Sequence, residues 1–172
     1  MIFRAFKEKS ILKHVNKLLS SRTVAIHQRK IESVGVVLDI NEYIDFESFR
    51  SLFKQMGLLS PKTKIIAFSK DEKEALTMWD TKFNEKDFGW KGTIKNIELQ
   101  GFLDQEFDAL ICYYKHNSLY LNLIVATSKA NLKIGLSNED PRLFDIIFDI
   151  QPKDFKVFRT ELIKYLTVLK KI

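Results

Sequence analysis

The chain has 172 residues, of which 45% are apolar and 12% aromatic, enough to form the core of one domain. This composition excludes a disordered chain, a collagen and a disulfide-stapled miniprotein. No uncharged apolar run approaches the roughly 18 residues that a membrane-spanning helix needs, and the N-terminus lacks the continuous apolar segment of a secretory signal. With Cys112 as its one cysteine, the chain is expected to be cytoplasmic.

Positive charge is concentrated at the N-terminus. Residues 1–32 hold eight Lys and Arg against two Glu, and this excess of +6 equals the net charge of the whole chain. Residues 151–172 hold six basic and two acidic residues, so residues 33–150 form a mildly acidic body. A localised basic patch attracts anionic partners within a Debye length, roughly 8 Å at physiological salt.

An amphipathic helix is predicted in the N-terminal segment and is expected to end near Ser20 and Ser21. Apolar residues from Ile11 to Leu19 recur at helical spacing, while lysines four residues apart form a stripe on another face. We therefore interpret residues 1–32 as a basic helical appendage and residues 33–172 as a single α/β domain. The residues predicted to contact an anionic partner are Lys7, Lys9, Lys13, Lys17, Arg22, Arg29 and Lys30.

The remainder of the chain alternates between strand and helix patterns. Val34–Asp39 is almost continuously apolar, which is typical of a strand covered on both faces. Asp45 and Gly57 are suited to begin and end the helix that follows, and Lys64–Phe68 is a second strand. A further strand, helix and strand occupy residues 107–136. The pattern predicts an α/β fold, a three-layer Rossmann-like arrangement with a mostly parallel sheet of about five strands.

Several shorter elements complete this prediction. We expect a strand at residues 23–26, helices at residues 71–82 and 96–104, and a final helix that opens at Pro152. A strand is also predicted at residues 144–150. Because the connection before it is too short for a helical crossover, that strand is expected to pair antiparallel or to lie at a sheet edge.

Polar residues follow several of the predicted strands. In an open α/β sheet, ligands bind beyond the carboxyl ends of the strands. The residues expected to line such a crevice are Asp39, Asn41, Ser69, Lys70, His116, Asn117 and Ser118. Ser69 and Lys70 precede a predicted helix whose N-terminal amides would suit a phosphate, although Asp71 competes for those amides as an N-cap. Phosphate-loop and dinucleotide-binding fingerprints are absent from the sequence.

Familiar catalytic and metal-binding patterns are also absent. Cys112 lies inside an apolar strand, where an inert buried thiol is expected, and the histidines show no metal-ligand spacing. We predict no catalytic residue, metal or cofactor. In the segment Phe88–Gly92, we interpret Trp90 as an anchor that folds back onto its own loop, with stacking on a nucleic-acid base as the alternative.

Two resemblances add to this interpretation. Lys64–Lys82 and Asn84–Gly92 resemble an uncharacterised bacterial family of about this length, which implies no site residues. Three further segments are similar to the N-terminal Rossmann-like half of heptosyltransferase-type glycosyltransferases: Phe107–Ile111, a helix ending at Ala126–Ala130, and Leu132–Gly135. Those enzymes hold the nucleotide sugar in a second Rossmann-like domain, so this resemblance implies that transferase activity would require a partner subunit.

Charge segregation and the missing catalytic motifs favour a non-enzymatic binding module that docks on an anionic partner through its basic N-terminal helix. Ribosomal or other RNA is the first expectation, and an acidic protein or an anionic membrane surface are the alternatives. The competing hypothesis is an enzyme. It would be a glycosyltransferase-like protein that binds a nucleotide sugar or a phosphometabolite in the strand-end crevice.

Overall fold

The computed structural model describes residues 2–23, 28–70, 81–136 and 139–172. Its helices and strands are, in chain order, α1 (Ile2–Ser21), β1 (Val34–Asp39), α2 (Phe46–Gln55), β2 (Thr63–Phe68), β3 (Thr81–Phe83), α3 (Ile97–Asp104), β4 (Ala109–Tyr113), α4 (Leu119–Thr127), β5 (Leu132–Gly135), β6 (Ile146–Ile147) and α5 (Phe155–Val168). Two short 3-10 turns, Glu85–Asp87 and Trp90–Gly92, lie between β3 and α3. Within the described ranges, no helix is both long and apolar enough to cross a membrane.

The strands form one sheet with the order β3-β2-β1-β4-β5-β6. Every neighbouring pair is parallel, and β1 lies between β2 and β4, where Val34 is aligned with both Thr63 and Ala109. This is the strand order of doubly wound, Rossmann-like sheets. The predicted α/β class and its parallel sheet are confirmed, with six strands in the described residues where about five were expected.

Helices cover both faces of the sheet. Side chains of β1 alternate between the two faces: Val37 packs in a core shared with α1, α3 and α4, while Val36 and Leu38 pack in a core shared with α2 and α5. Because both faces of β1 and β4 are covered, their residues are apolar almost without interruption. The three-layer arrangement follows from this double burial.

The bounds of α2 show how local sequence determines an element. The Asp45 carboxylate accepts the backbone N–H of Ser48 at 3.1 Å and thereby caps the first turn. At the other end, Gly57 has a φ of 73°, a left-handed conformation that glycine adopts without strain. Both predicted bounds are confirmed.

The last strand was expected to pair antiparallel or to lie at a sheet edge, and the structure bears out only the edge position. β6 lies at the sheet edge as predicted, but it pairs parallel with β5, with Ile134 aligned with Ile146. β5 spans only about 13 Å at 3.3 Å per residue. The ten residues between β5 and β6 are long enough to reach back along that length in extended form. The described part of this connection, residues 136 and 139–145, contains no helix.

Two other predicted elements fall largely outside the described residues. The predicted helix at residues 71–82 is described only at Thr81 and Lys82, and these belong to β3, which pairs with β2 at Ile66. The predicted strand at residues 23–26 is described only at Thr23, which lies outside any strand. The predicted final helix is confirmed, although it begins at Phe155, three residues after Pro152.

The N-terminal helix α1 is a structural layer of the α/β domain. Ile11, Val15 and Leu19 are buried in the same core as residues of the sheet and of α4. The neighbouring residue Leu12 remains 51% exposed. α1 thus supplies part of the fold, and it lies in the segment, residues 1–32, whose excess of +6 equals the net charge of the chain.

Replacing Ile11 by Ala should lower the free energy of unfolding by about 2–5 kcal/mol, because the methyl groups removed are fully buried. Leu12→Ala is the matched control on the outward side of the same helix and should cost less than about 1 kcal/mol. Urea denaturation of both variants measures the difference. Equal losses would contradict the packing of α1 into the core.

Candidate functional site

The carboxyl ends of β1 and β4 meet at the point where the sheet changes direction. From β1 the chain continues through α2 to β2 on one side, and from β4 it continues through α4 to β5 on the other. Since α2 and α4 pack on opposite faces of the sheet, the loops after β1 and β4 diverge. Doubly wound sheets bind their ligands in this crevice.

A histidine and two carboxylates come together there. The Nδ1 atom of His116, which follows β4, lies 2.5 Å from Glu42 Oε1 and 3.1 Å from Asp39 Oδ2. The Asp39 side chain is fully buried at the end of β1, whereas the side chains of Glu42 and His116 are partly exposed. One candidate ligand atom from each of the three residues lies within 4.8 Å of the other two. We call this group the strand-end cluster.

The turn after β1 brings Glu42 into this cluster. The backbone N–H groups of Glu42 and Tyr43 both donate to the carbonyl oxygen of Asp39, at 3.0 and 2.9 Å. Asp39 Oδ1 accepts from the backbone and side-chain amides of Asn41, at 2.9 and 2.8 Å. These bonds fix both the carboxylate of Asp39 and the position of Glu42.

The loop after β4 orients Glu42 from the other side. Glu42 Oε2 accepts the backbone N–H of Lys115 at 2.8 Å, and Oε1 accepts that of His116 at 2.9 Å. Burial alone would raise the pKa of Glu42, but the hydrogen bonds from the His116 backbone, the His116 imidazole and the Lys115 backbone outweigh it and lower that pKa. Glu42 is therefore held as a carboxylate.

Three buried polar atoms lack a hydrogen-bond partner among the described residues, and all three lie on residues at or next to this cluster: Asp39 Oδ2, His116 Nε2 and the Tyr114 hydroxyl. Burial, the adjacent Cys112 thiol and the carboxylates of Asp39 and Glu42 hold the pKa of Tyr114 well above its usual value. The cost of leaving a buried polar atom unpaired is about 1–3 kcal/mol. Such atoms are uncommon in folded proteins and call for a specific explanation.

The structure brings together some of the predicted crevice residues but separates others. Asp39, Asn41 and His116 meet directly. Ser118 serves as the N-cap of α4, Asn117 accepts a hydrogen bond from Asn122, and Ser69 is buried at the end of β2.

Lys70 is exposed, and the predicted helix after it lies outside the described residues. Its proposed role toward a phosphate therefore stays a prediction. Sequence reasoning missed Glu42, whose only local indication is its position three residues after Asp39 at the end of an apolar strand. Cys112 is buried as expected, and burial raises the pKa of its thiol to about 12, so it is poorly suited to act as a nucleophile.

The lysine stripe of α1 faces away from the core. At about 100° per residue, Lys13 is some 160° around the helix from both Ile11 and Val15. Lys9, Lys13 and Lys17 are all exposed and make no ion pair with another described residue. We call these three residues the lysine face.

Most of the other predicted docking cations make contacts within the protein. Arg22 pairs with the buried Asp145 at 2.6 Å, and Arg29 pairs with Asp108 at 2.9 Å. Lys7 donates to the backbone carbonyl of Glu85, and burial followed by the charge of Lys95 lowers its pKa. Lys30 is exposed. The charge of Arg22 and Arg29 thus supports the fold.

The aromatic loop contradicts the interpretation of Trp90 as an anchor. Trp90 is 53% exposed, whereas Phe88 is fully buried and anchors the loop. The loop is also fixed to α1, because the backbone N–H of Lys91 donates to Ser10 Oγ at 3.0 Å. Trp90 and Phe3 line a shallow depression of about 300 Å³ beside the first turns of α1.

Glu42→Gln should lower the free energy of unfolding at pH 7 by about 1–3 kcal/mol, because two backbone N–H groups lose a charged acceptor. The pKa of Glu42 is lower in the folded state than in the unfolded chain. Its ionised form therefore stabilises the fold above the ordinary glutamate pKa of about 4.3. This contribution is lost as the pH falls through the pKa of Glu42 in the folded state. The difference between wild type and variant should therefore shrink below about pH 4.

Urea denaturation at a series of pH values measures this difference. Glu47→Gln is the matched control, because Glu47 lies on the surface of α2 with its side chain 78% exposed. A difference that is independent of pH, or an equal loss in the control, would contradict the role assigned to Glu42.

Comparison with known proteins identifies a family without assigning an activity. No curated protein and no protein of solved structure matches the chain, so no homologue supports the resemblance to glycosyltransferases. The profile of a family of unknown function, DUF6913, matches residues 7–169. This match covers most of α1 and the whole strand-end cluster, and the chain belongs to that family.

Proposed function

We propose that the protein binds RNA through the outward surface of α1. The lysine face supports this proposal most directly, because three cations one helical turn apart remain in solvent while nearby arginines are used in internal ion pairs. Lysines spaced by about 6 Å along a rigid helix can contact successive phosphates. Since α1 is packed into the domain, the lysines are presented on a fixed scaffold.

Exposed aromatic side chains extend this surface toward the N-terminus of α1. Phe6 lies about 20° around the helix from Lys13 and is 59% exposed. Phe3 and Trp90 are also exposed on the adjoining depression. Nucleic-acid bases stack on exposed aromatic rings, whereas paired bases in a duplex are not accessible in this way. Aromatic rings next to lysines therefore favour single-stranded RNA.

The same geometry argues against the two main alternatives. A helix that lies on a membrane inserts a continuous apolar face, but Ile11, Val15 and Leu19 of α1 are buried in the protein core, and the exposed Phe6 lies on the same side of the helix as Lys13. A nucleotide sugar or phosphometabolite in the strand-end crevice would meet the carboxylates of Asp39 and Glu42. Two like charges facing an anionic ligand disfavour its binding by several kcal/mol unless a cation intervenes.

Replacing Lys9, Lys13 and Lys17 together by Gln should weaken binding of a fluorescein-labelled single-stranded RNA of mixed sequence by at least about tenfold near 0.1 M salt. It should also reduce the slope of log K against log salt by about 2, because each lost contact with a single strand removes about 0.7 from that slope. Fluorescence anisotropy over a salt series measures both quantities. Thermal stability should be unchanged, because the three side chains are exposed and form no ion pair with another described residue.

The matched control is the triple replacement of Lys54, Lys153 and Lys156 by Gln. It removes the same charge from exposed positions in and beside α2 and α5, on the opposite face of the sheet. An equal loss of affinity in this control would show that only net charge matters and would refute the docking surface. Unchanged affinity in the α1 variant, or α1-dependent binding to anionic vesicles in place of RNA, would also refute it.

Trp90→Ala tests the aromatic part of the surface. We expect the free energy of unfolding to change by less than about 1 kcal/mol, since the ring is half exposed. The free energy of RNA binding should weaken by about 1–3 kcal/mol, because the stacking contact is lost. Phe88→Ala is the contrasting variant. It should destabilise the fold by about 3–5 kcal/mol because its ring is fully buried. A stability loss in Trp90→Ala with unchanged RNA affinity would contradict the assignment.

A further inference from the structure

The strand-end cluster has the composition of a metal site. We propose that Asp39, Glu42 and His116 bind one divalent transition-metal ion at the carboxyl ends of β1 and β4. This inference is independent of RNA binding, because the cluster and the lysine face share no residue.

The distances suit a single ion. Ligands bound at about 2.0–2.2 Å can be at most about 4.4 Å apart across one ion. The separation of 3.1 Å between His116 Nδ1 and Asp39 Oδ2 already falls within this range. Glu42 Oε1 lies 2.5 Å from the same nitrogen, so an ion bound by both atoms would replace the proton of their hydrogen bond.

Burial of Asp39 provides a second, separate observation. Its side chain is fully buried, and Oδ2 accepts no hydrogen bond from a described residue, although it lies 3.1 Å from His116 Nδ1. A buried carboxylate oxygen requires a compensating charge or donor. A cation bound between Asp39 and Glu42 would compensate both carboxylates, whose mutual repulsion otherwise disfavours their approach.

The surroundings also hold the ligands in place. Asn41 occupies the other oxygen of Asp39 through two hydrogen bonds, and the backbone N–H groups of Lys115 and His116 hold Glu42. Hydrogen bonds to metal-binding carboxylates orient them and commonly change metal affinity by about 10–100-fold. All of these contacts come from the loops that follow β1 and β4.

The donor set indicates which class of ion would bind. One imidazole nitrogen with two carboxylates suits Zn²⁺, Mn²⁺, Fe²⁺ or Co²⁺. Mg²⁺ and Ca²⁺ prefer sites made of oxygen atoms alone. Three protein ligands leave further coordination positions for water or a ligand, as in catalytic metal sites. The cluster therefore differs from a structural zinc site, which is closed by four protein ligands.

The test is isothermal titration calorimetry of the full chain after treatment with a chelator, with ZnCl₂, MnCl₂ and MgCl₂ titrated separately. We expect one Zn²⁺ or Mn²⁺ ion per chain and at least tenfold weaker binding of Mg²⁺. His116→Ala should weaken Zn²⁺ and Mn²⁺ binding by at least tenfold. His14→Ala is the matched control on α1, outside the cluster, and should bind as the wild type does.

A spectroscopic measurement keeps the proposal testable if a substitution damages the fold. Co²⁺ added to the wild-type protein should give visible absorption bands that zinc abolishes and that Asp149→Asn leaves unchanged. Asp149 is an exposed carboxylate that pairs with Lys115 beside the cluster. Failure of the wild type to bind Zn²⁺, Mn²⁺ or Co²⁺ would refute the site, and so would equal loss of binding in His14→Ala and His116→Ala. Such a result would leave only a hydrogen-bonded histidine between two carboxylates.

Discussion

Parallel pairing of β1 with β2 on one side and with β4 on the other is the constraint on which the remaining structure depends. It places β1 at the centre of the sheet, so that its side chains must be apolar on both faces. Gly35 serves the same arrangement, because a Cβ atom at this position would come within 2.9 Å of the rings of Phe102 and Phe107. The absence of a side chain allows α3 and the loop before β4 to approach the strand closely.

The same pairing determines where polar residues can gather. β1 and β4 end side by side, and their connections leave toward opposite faces, so the crevice between them receives side chains from both loops. Asp39 is buried there because it is still part of the central strand. Asn41 donates two hydrogen bonds to Oδ1 of the Asp39 carboxylate, and His116 Nδ1 lies 3.1 Å from Oδ2. In the strand-end cluster, a buried carboxylate thus lies in contact with other polar side chains, an arrangement found at many functional sites.

The N-terminal helix combines two roles on opposite sides. Ile11 and Val15 contribute to the core of the domain, while Lys13 faces solvent about 160° away. A rigid helix presents its charges at fixed spacing, which lowers the entropy lost when an extended anion binds. The arginines of the same segment have a different use, since Arg22 is part of a largely buried ion pair with Asp145. Net charge alone therefore overstates the charge available to a partner.

Local sequence was sufficient for the elements whose signals lie within a few residues. The apolar runs of β1 and β4, the capping of α2 by Asp45 and its end at Gly57 all depend on neighbours in the chain, as does the lysine stripe of α1. Asp39, Asn41 and His116 could also be assigned to one crevice, because the carboxyl ends of parallel strands share one sheet edge. The α/β class followed from the alternation of these patterns.

Tertiary structure decided what depends on residues far apart in sequence. Glu42 joins His116 across 74 positions, and no local pattern encodes that contact. The parallel direction of β6, the exposure of Trp90 and the use of Arg22 in an internal ion pair likewise depend on packing between elements. The physical reason is that helix and strand periodicity arises from neighbouring residues, whereas strand order, burial and charge pairing arise only when the layers assemble.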